Sequence, residues 1–173
     1  MVQTDEIVYV GVSSIRSDSA KVSKTIENNI MIMLLKENKS KEEVIGYVNT
    51  EKKKIIDGVY SYYEIAIPKT ITDDFKNYKV KTFHVKAAEW SNKYLGTSYH
   101  QGDKIKILYG FIEGLPTCDA FAFSNEKQLA GRKIHINWKK MMKVLVENKV
   151  QRIYNALGWN EEKKQQGLGV WVK

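Results

Sequence analysis

The stretch DKIKILYGF, residues 103–111, decides the fold that this sequence predicts. Lysines at positions 104 and 106 alternate with isoleucines at 105 and 107, which is typical of a β-strand with one solvated and one buried face. The segment DAFAF, residues 119–123, alternates in the same way, and YYEIAIP, residues 62–68, is predicted to be a further strand that Pro68 stops. Together these segments predict a small sheet.

Two helices are predicted upstream of these strands. The segment SDSAKVSKTIENNIMIMLLKE, residues 17–37, has apolar residues at helical spacing and a Ser or Asp cap at its head. A second helix is expected to begin at Ser40, where Glu43 completes a capping box, and to run to about Ile56 before Gly58 ends it.

Two more helices flank the central strands. One is HVKAAEWSNKYL, His84–Leu95, and the other has the most regular apolar periodicity in the chain, from Trp138 to Leu157. Before the first of them, TITDDFKNY, residues 70–78, is predicted to form a short turn of helix that Thr72 caps.

The order of elements is two helices, a strand, a helix, two strands, a helix and a tail. This order predicts an α+β fold, mainly helical, with a small antiparallel sheet. A short β-like run, DEIVYVGV at residues 5–12, is expected to pair with another polypeptide, because one strand is not stable alone.

Charge and cysteine content narrow the functional classes. The 173 residues include 28 Lys and Arg against 20 Asp and Glu, a net charge of +8, which favours a polyanionic partner. The single cysteine, Cys118, forbids an internal disulfide, so a cytoplasmic location is expected. The longest apolar run, Ile30–Leu35, is far below the ~20 residues that span a bilayer, so no membrane partner is expected.

Catalytic constellations are not found in the sequence. The three histidines, 84, 100 and 135, and Cys118 lack metal-ligand spacing, and the tail motif GLG, residues 167–169, follows no strand and precedes no helix. Asp73 and Asp74 are compatible with a metal-binding pair, but the preference for anionic side chains at a helix N-terminus explains both without any metal and is the favoured interpretation. No self-sufficient active site is predicted.

Several stretches, taken in order, resemble the thumb region of family B DNA polymerases. VGVSSIRSDSAKVSK, residues 10–24, is similar to the G-x-x-x-x-R-[RS]-[DS] stretch that leads from palm into thumb. ITDDFKNYKVKTFHVKAAEWSNK, residues 71–93, joins the archaeal-type I-T-x-D-[LF]-x-x-Y pattern to a helix start closer to tailed phages. IYNALGW, residues 153–159, followed by QQGLGVWVK, residues 165–173, looks like the end of the archaeal enzymes. GDKIKILY, residues 102–109, and DAFAF fit the strands expected between them.

The resemblance covers residues 5 to 173 and implies three parts: a palm-completing segment at 1–15, a thumb domain at 16–160 and a clamp-binding tail at 161–173. The family's catalytic carboxylates, on an Asp-Thr-Asp turn, would lie before Met1. We therefore expect the small subunit of a split polymerase. A large subunit would supply palm, fingers, exonuclease and Mg²⁺, and no cofactor is expected on this chain.

The resemblance also implies where DNA is bound. A thumb grips primer–template duplex whatever its sequence, so phosphate-directed contacts are expected at helix starts. The residues expected to make them are Arg16, Ser17, Lys21, His84, Lys86, Asn92 and Lys93. The alternative is an ordinary solvated basic face.

The tail QQGLGVWV resembles the motif that archaeal polymerases use to bind a sliding clamp. Gln165, Leu168, Trp171 and Val172 have the spacing Q-x-x-L-x-x-W-[LV]. One helical turn would bring Leu168 and Trp171 onto one side as a plug for an apolar groove. Alternatively, Trp171 packs onto the core of its own domain.

Two rival functions remain at this point. One is a stand-alone basic DNA-binding module or remnant without a polymerase partner. The other is a nuclease that uses Asp73 and Asp74, which would require a third converging acid. An archaeal source and a viral source are both compatible with the motifs, so the expected compartment is the nucleoid or the host cytoplasm.

Overall fold

A computed structural model describes residues 18–159, and these form a mixed α+β fold, as the sequence predicts. The helices are α1 (Lys21–Leu35), α2 (Lys41–Ile56), α3 (Tyr62–Ile65), α4 (Phe83–Tyr94), α5 (Trp138–Met142) and α6 (Asn148–Ala156). A π-helical segment, Lys143–Glu147, joins α5 to α6, and a 3₁₀ turn lies at Glu126–Leu129. The strands are β1 (Ile67–Thr70), β2 (Lys104–Ile112), β3 (Ala120–Phe123) and β4 (Ile134–Ile136).

The sheet is antiparallel and is built around β2, which pairs with each of the other three strands. Ile107 lies opposite Ile67 of β1 and Ala122 of β3. Beyond residue 109, β2 pairs with β4, where Gly110 lies opposite Ile136. The long lysine-alternating strand is therefore the centre of the fold.

Helices cover both faces of the sheet. On one face, Leu108 and Phe121 pack with α1, α2 and the C-terminal helical region in the larger apolar cluster. On the other face, Ile105 and Ile107 pack with Ala87 and Ala88 of α4 in a smaller cluster. Because both faces are covered, all four residues of β3 are buried, and the half-buried alternation expected for DAFAF is wrong.

The strand predicted at residues 62–68 is also wrong. Its first half is the short helix α3, which begins with a capping box: the Ser61 hydroxyl accepts the N–H of Glu64, and the Glu64 carboxylate accepts the N–H of Ser61. Pro68 does not stop a strand but lies within β1. The sheet tolerates it there because β1 pairs with β2 alone and is an edge strand among the described residues.

The helical turn predicted at residues 70–78 is absent. The backbone N–H groups of Thr72 and Asp73 donate instead to the Tyr78 hydroxyl, each at 3.1 Å. Asp73 and Asp74 accept backbone N–H groups inside this loop, from Asp74 and Lys76 respectively. The two carboxylates therefore fold a turn rather than cap a helix.

The longer helices agree with the sequence, with two local differences. The capping box of Ser40 and Glu43 is present at the start of α2. The residue that caps α1 is Ala20, which has no side-chain cap hydrogen bond, so the Ser or Asp cap predicted there is wrong. The helix predicted from Trp138 to Leu157 contains the π-helical segment, where the buried Ser23 hydroxyl of α1 donates to the Leu145 carbonyl at 2.7 Å.

Candidate nucleic-acid interface

The N-terminal ends of α1 and α4 border one cavity of about 280 Å³, which we call the α1–α4 cavity. Ser19 and Ala20 line it from the segment before α1, Ser23 lines it from α1, and Phe83 lines it from α4. Lys69 of β1 and Arg152 of α6 contribute positive charge to its wall. Two helix starts that are 62 residues apart in sequence, counted from Lys21 to Phe83, thus share one site.

Both helix starts lack a side-chain cap. The residue before α1 is alanine, and the Thr82 hydroxyl before α4 bonds the His84 ring, with 3.0 Å to Nδ1, rather than a backbone N–H. By contrast, Ser40, Ser61 and Asn137 cap their helices with side-chain oxygens. Among residues 18–159, the first-turn N–H groups of α1 and α4 therefore have no acceptor from a capping side chain, which is the arrangement that suits an anion.

Three lysines converge beside the start of α1. Burial lowers the pKa of Lys106, and the positive charges of Lys24 and Lys21 lower it further. The Lys106 Nζ lies 4.1 Å from the centroid of the Tyr63 ring, and Lys21 forms a surface ion pair with Glu64 at 3.4 Å. Among the described residues, Glu64 thus forms an ion pair with one of these three lysines.

A histidine and a lysine lie close together at the start of α4. Burial lowers the pKa of His84, and the positive charge of Lys69 lowers it further. Lys69 also lies 3.7 Å from an Asp18 carboxylate oxygen. Together with the exposed Lys86 in the first turn of α4, Lys69 places positive charge at this helix start. We call Lys21, Lys24, Lys69, His84, Lys86 and Lys106 the basic face.

The structure places the predicted DNA-binding residues unequally. Lys21 and Lys86 are exposed at the two helix starts. Lys93 is exposed in the last turn of α4, about 15 Å along the helix axis from Phe83, with its Nζ 5.2 Å from the Tyr94 ring centroid. Arg16 and Ser17 lie outside the described residues, as does the predicted N-terminal strand.

The Asn92 side chain forms hydrogen bonds with the loop that follows α4. Its Nδ2 donates to the Tyr99 carbonyl at 2.9 Å, and its Oδ1 accepts from the Thr97 hydroxyl and the Tyr99 N–H at 2.8 and 2.7 Å. These three bonds hold the loop after α4 and use three of the four hydrogen-bonding positions of the amide. We therefore leave Asn92 out of the interface.

Several cationic residues of the interface were not selected from the sequence. Lys69, Lys106 and Arg152 come from β1, β2 and α6, and only the folded chain brings them to the two helix starts. Lys149 also lines the α1–α4 cavity, where its Nζ donates to the Ser19 hydroxyl at 2.8 Å and lies 4.0 Å from Glu27. In the sequence, only the alternation of lysines in β2 could have indicated that Lys106 belongs to the candidate interface.

The described residues contain no group of side chains that could form a metal-binding catalytic centre. No three His, Cys, Asp or Glu side chains between residues 18 and 159 lie close enough together to hold a metal ion. Asp73 and Asp74 therefore lack the third acid that the nuclease hypothesis requires within this range.

Burial and the nearby Asp119 charge raise the pKa of the Cys118 thiol to about 11, so a reactive thiolate is disfavoured.

Comparison with known proteins gives no assignment. No protein-family model matches the sequence, and no curated protein matches it significantly. None of the helices between residues 18 and 159 combines the length and the hydrophobicity that crossing a bilayer requires. The clamp-binding residues predicted in the tail, Gln165, Leu168, Trp171 and Val172, lie outside the described residues.

Proposed function

We propose that this chain grips the sugar–phosphate backbone of duplex DNA through the basic face. The observation that carries the proposal is the convergence of five lysines and His84 around two helix starts that no side chain among residues 18–159 caps. Burial lowers the pKa of Lys106 and of His84, and neighbouring lysines lower both further, so the charged forms of these two groups are repelled, and a row of phosphates would offset that repulsion. Such contacts fix position on DNA without reading its sequence.

The proposal extends to a role in replication. The ordered resemblance to the thumb of family B polymerases supports a thumb-type subunit that holds primer–template DNA behind the growing end. A larger subunit would supply the carboxylates and Mg²⁺ that perform nucleotidyl transfer. The tail at 161–173 would bind a sliding clamp.

A stand-alone DNA-binding module is the second candidate. The same basic face supports it, because phosphate contacts need no polymerase partner. Co-purification from the native source separates the two: a polymerase subunit should be recovered with a larger chain, whereas a stand-alone module should be recovered by itself.

Duplex binding can be tested by fluorescence anisotropy with a labelled hairpin duplex over a series of salt concentrations. We expect Lys21→Gln to weaken binding severalfold and to reduce the slope of log affinity against log salt by about 0.9, the contribution of one phosphate contact. Loss of the Glu64 ion pair should have little effect on stability, because the pair is on the surface.

Lys36→Gln is the matched control. Lys36 is exposed and caps the opposite end of α1, so it is far from the basic face. Equal loss of affinity in the two variants would show that net charge, rather than the basic face, determines binding. Absence of any duplex binding would refute the proposal.

A further inference from the structure

Phe83 and Tyr109 form an aromatic stack beside the basic face. Their ring centroids are 5.4 Å apart, with 24° between the ring planes. Phe83 remains 37% exposed, although it belongs to the first turn of a helix whose other apolar residues are largely buried. Both rings line the α1–α4 cavity. An exposed aromatic surface therefore adjoins a cluster of cations.

The same two rings line a second cavity of about 330 Å³, which we call the Trp90 cavity. Lys86 and Lys140 border it, and the Lys140 Nζ lies 5.6 Å from the Tyr109 ring centroid. Trp90 also lines it, and its buried indole N–H has no hydrogen-bond acceptor among the described residues. The stack is thus flanked by two cavities, each bordered by lysine side chains.

Charge in these cavities is mainly positive. Arg152 in the α1–α4 cavity is exposed and forms no hydrogen bond or ion pair within residues 18–159. Lys86 and Lys140 are likewise exposed at the Trp90 cavity. The acids are Asp18 in the first cavity and Asp119 in the second. A ligand that enters both cavities would therefore meet cations on each side of an aromatic platform.

We propose that the two cavities and the Phe83–Tyr109 stack bind an unpaired DNA strand, next to the duplex held by the basic face. The proposal rests on the proposed function for its choice of DNA. Single strands are bound by basic grooves in which aromatic rings stack on the bases. A duplex cannot use the ring of Phe83 in this way, because its bases are already paired and stacked.

The test compares a labelled oligothymidine with a labelled hairpin duplex in anisotropy titrations of the whole chain. Phe83→Leu keeps an apolar side chain but removes the aromatic ring. We expect it to weaken oligothymidine binding about tenfold, the effect of losing one stacked base, and to weaken duplex binding much less. The matched control is Phe111→Leu, because Phe111 is a similarly exposed aromatic residue that lines neither cavity.

A second variant tests the phosphate contact rather than the stacking of a base on Phe83. Lys140→Gln, at an exposed position, should reduce the salt slope for oligothymidine by about 0.7, the contribution of one phosphate of a single strand. If the duplex binds but Phe83→Leu and Lys140→Gln leave oligothymidine binding unchanged, the single-strand site is refuted and the duplex proposal survives. If neither oligonucleotide binds, both proposals fail. Tighter binding of oligouridine than of oligothymidine would assign the site to RNA and overturn the choice of DNA.

Discussion

His84 shows how one residue of the interface responds to its neighbours. Burial in the first turn of α4 disfavours the charged imidazolium, and the positive charge of Lys69 disfavours it further, so the pKa of His84 is lowered from 6.5. The ring also bonds the Thr82 hydroxyl. Folding therefore favours the neutral ring, whereas a bound phosphate would favour the charged ring.

The lowered pKa of His84 predicts opposite effects of pH on stability and on DNA binding. The unfolded chain binds a proton at His84 more readily than the folded chain, so its contribution to the free energy of unfolding should be present above about pH 6.5 and decline as the pH falls below it. Duplex affinity should instead rise over the same interval. Urea unfolding and anisotropy titrations at a series of pH values measure the two effects.

Replacing His84 with Gln should remove both pH-dependent components. The control is His100→Gln, which changes an exposed histidine in the turn before β2 and should leave both components in place. If the affinity of the wild-type chain for duplex is independent of pH through this interval, His84 does not face a phosphate.

Gly110 lies where the strand β2 stops pairing with β3 and begins to pair with β4. Its backbone φ of +151° is in a region that side chains disfavour, and it lies where the pairing of β2 changes from β3 to β4. A Cβ added there would lie 2.2 Å from the His135 carbonyl oxygen. The close approach of β4 therefore requires glycine at this position.

Two Gly→Ala variants should have opposite effects on stability. Gly110→Ala should lower the free energy of unfolding by at least about 2 kcal/mol, because β4 has to move away from β2. Gly46→Ala in α2 should raise it by about 0.5–1 kcal/mol, because no atom lies within 4 Å of the added Cβ and alanine favours the helix. Urea unfolding measures both. A harmless Gly110→Ala would mean that the pairing of β4 with β2 is not rigid.

The elements that the sequence predicted well are those in which one local signal dominates. At the Ser40 capping box and in the lysine-alternating strand β2, no second pattern favours a different secondary structure. The segment from Tyr62 was mispredicted because two signals conflict there: aromatic and β-branched residues favour a strand, while Ser61 and Glu64 form a capping box. β4 was missed because three residues carry too short a pattern.

At the scale of the whole molecule, the interface depends on tertiary structure that a sequence pattern does not contain. Lys21 and Lys86 were predicted because each lies at a helix start, which is a local feature. Lys69 and Arg152 were missed because their significance comes from the packing of β1 and α6 beside those starts. Asn92 was selected for a polar side chain that the folded loop uses internally.

The division of labour proposed for the whole molecule predicts that this chain alone extends no primer. Within residues 18–159 no three acidic, histidine or cysteine side chains converge, whereas nucleotidyl transfer of the proposed kind uses two metal ions held by carboxylates. A primer-extension assay with Mg²⁺ should therefore give no product from the purified chain. The same assay on material co-purified with a larger chain should give product, and Lys21→Gln in that complex should shorten the products by weakening the grip on the duplex.

Changing Asp73 and Asp74 together to Asn serves as the control and should leave synthesis by the complex nearly intact, because these carboxylates fold a turn. Synthesis by the isolated chain would overturn the assignment of the catalytic carboxylates to a partner.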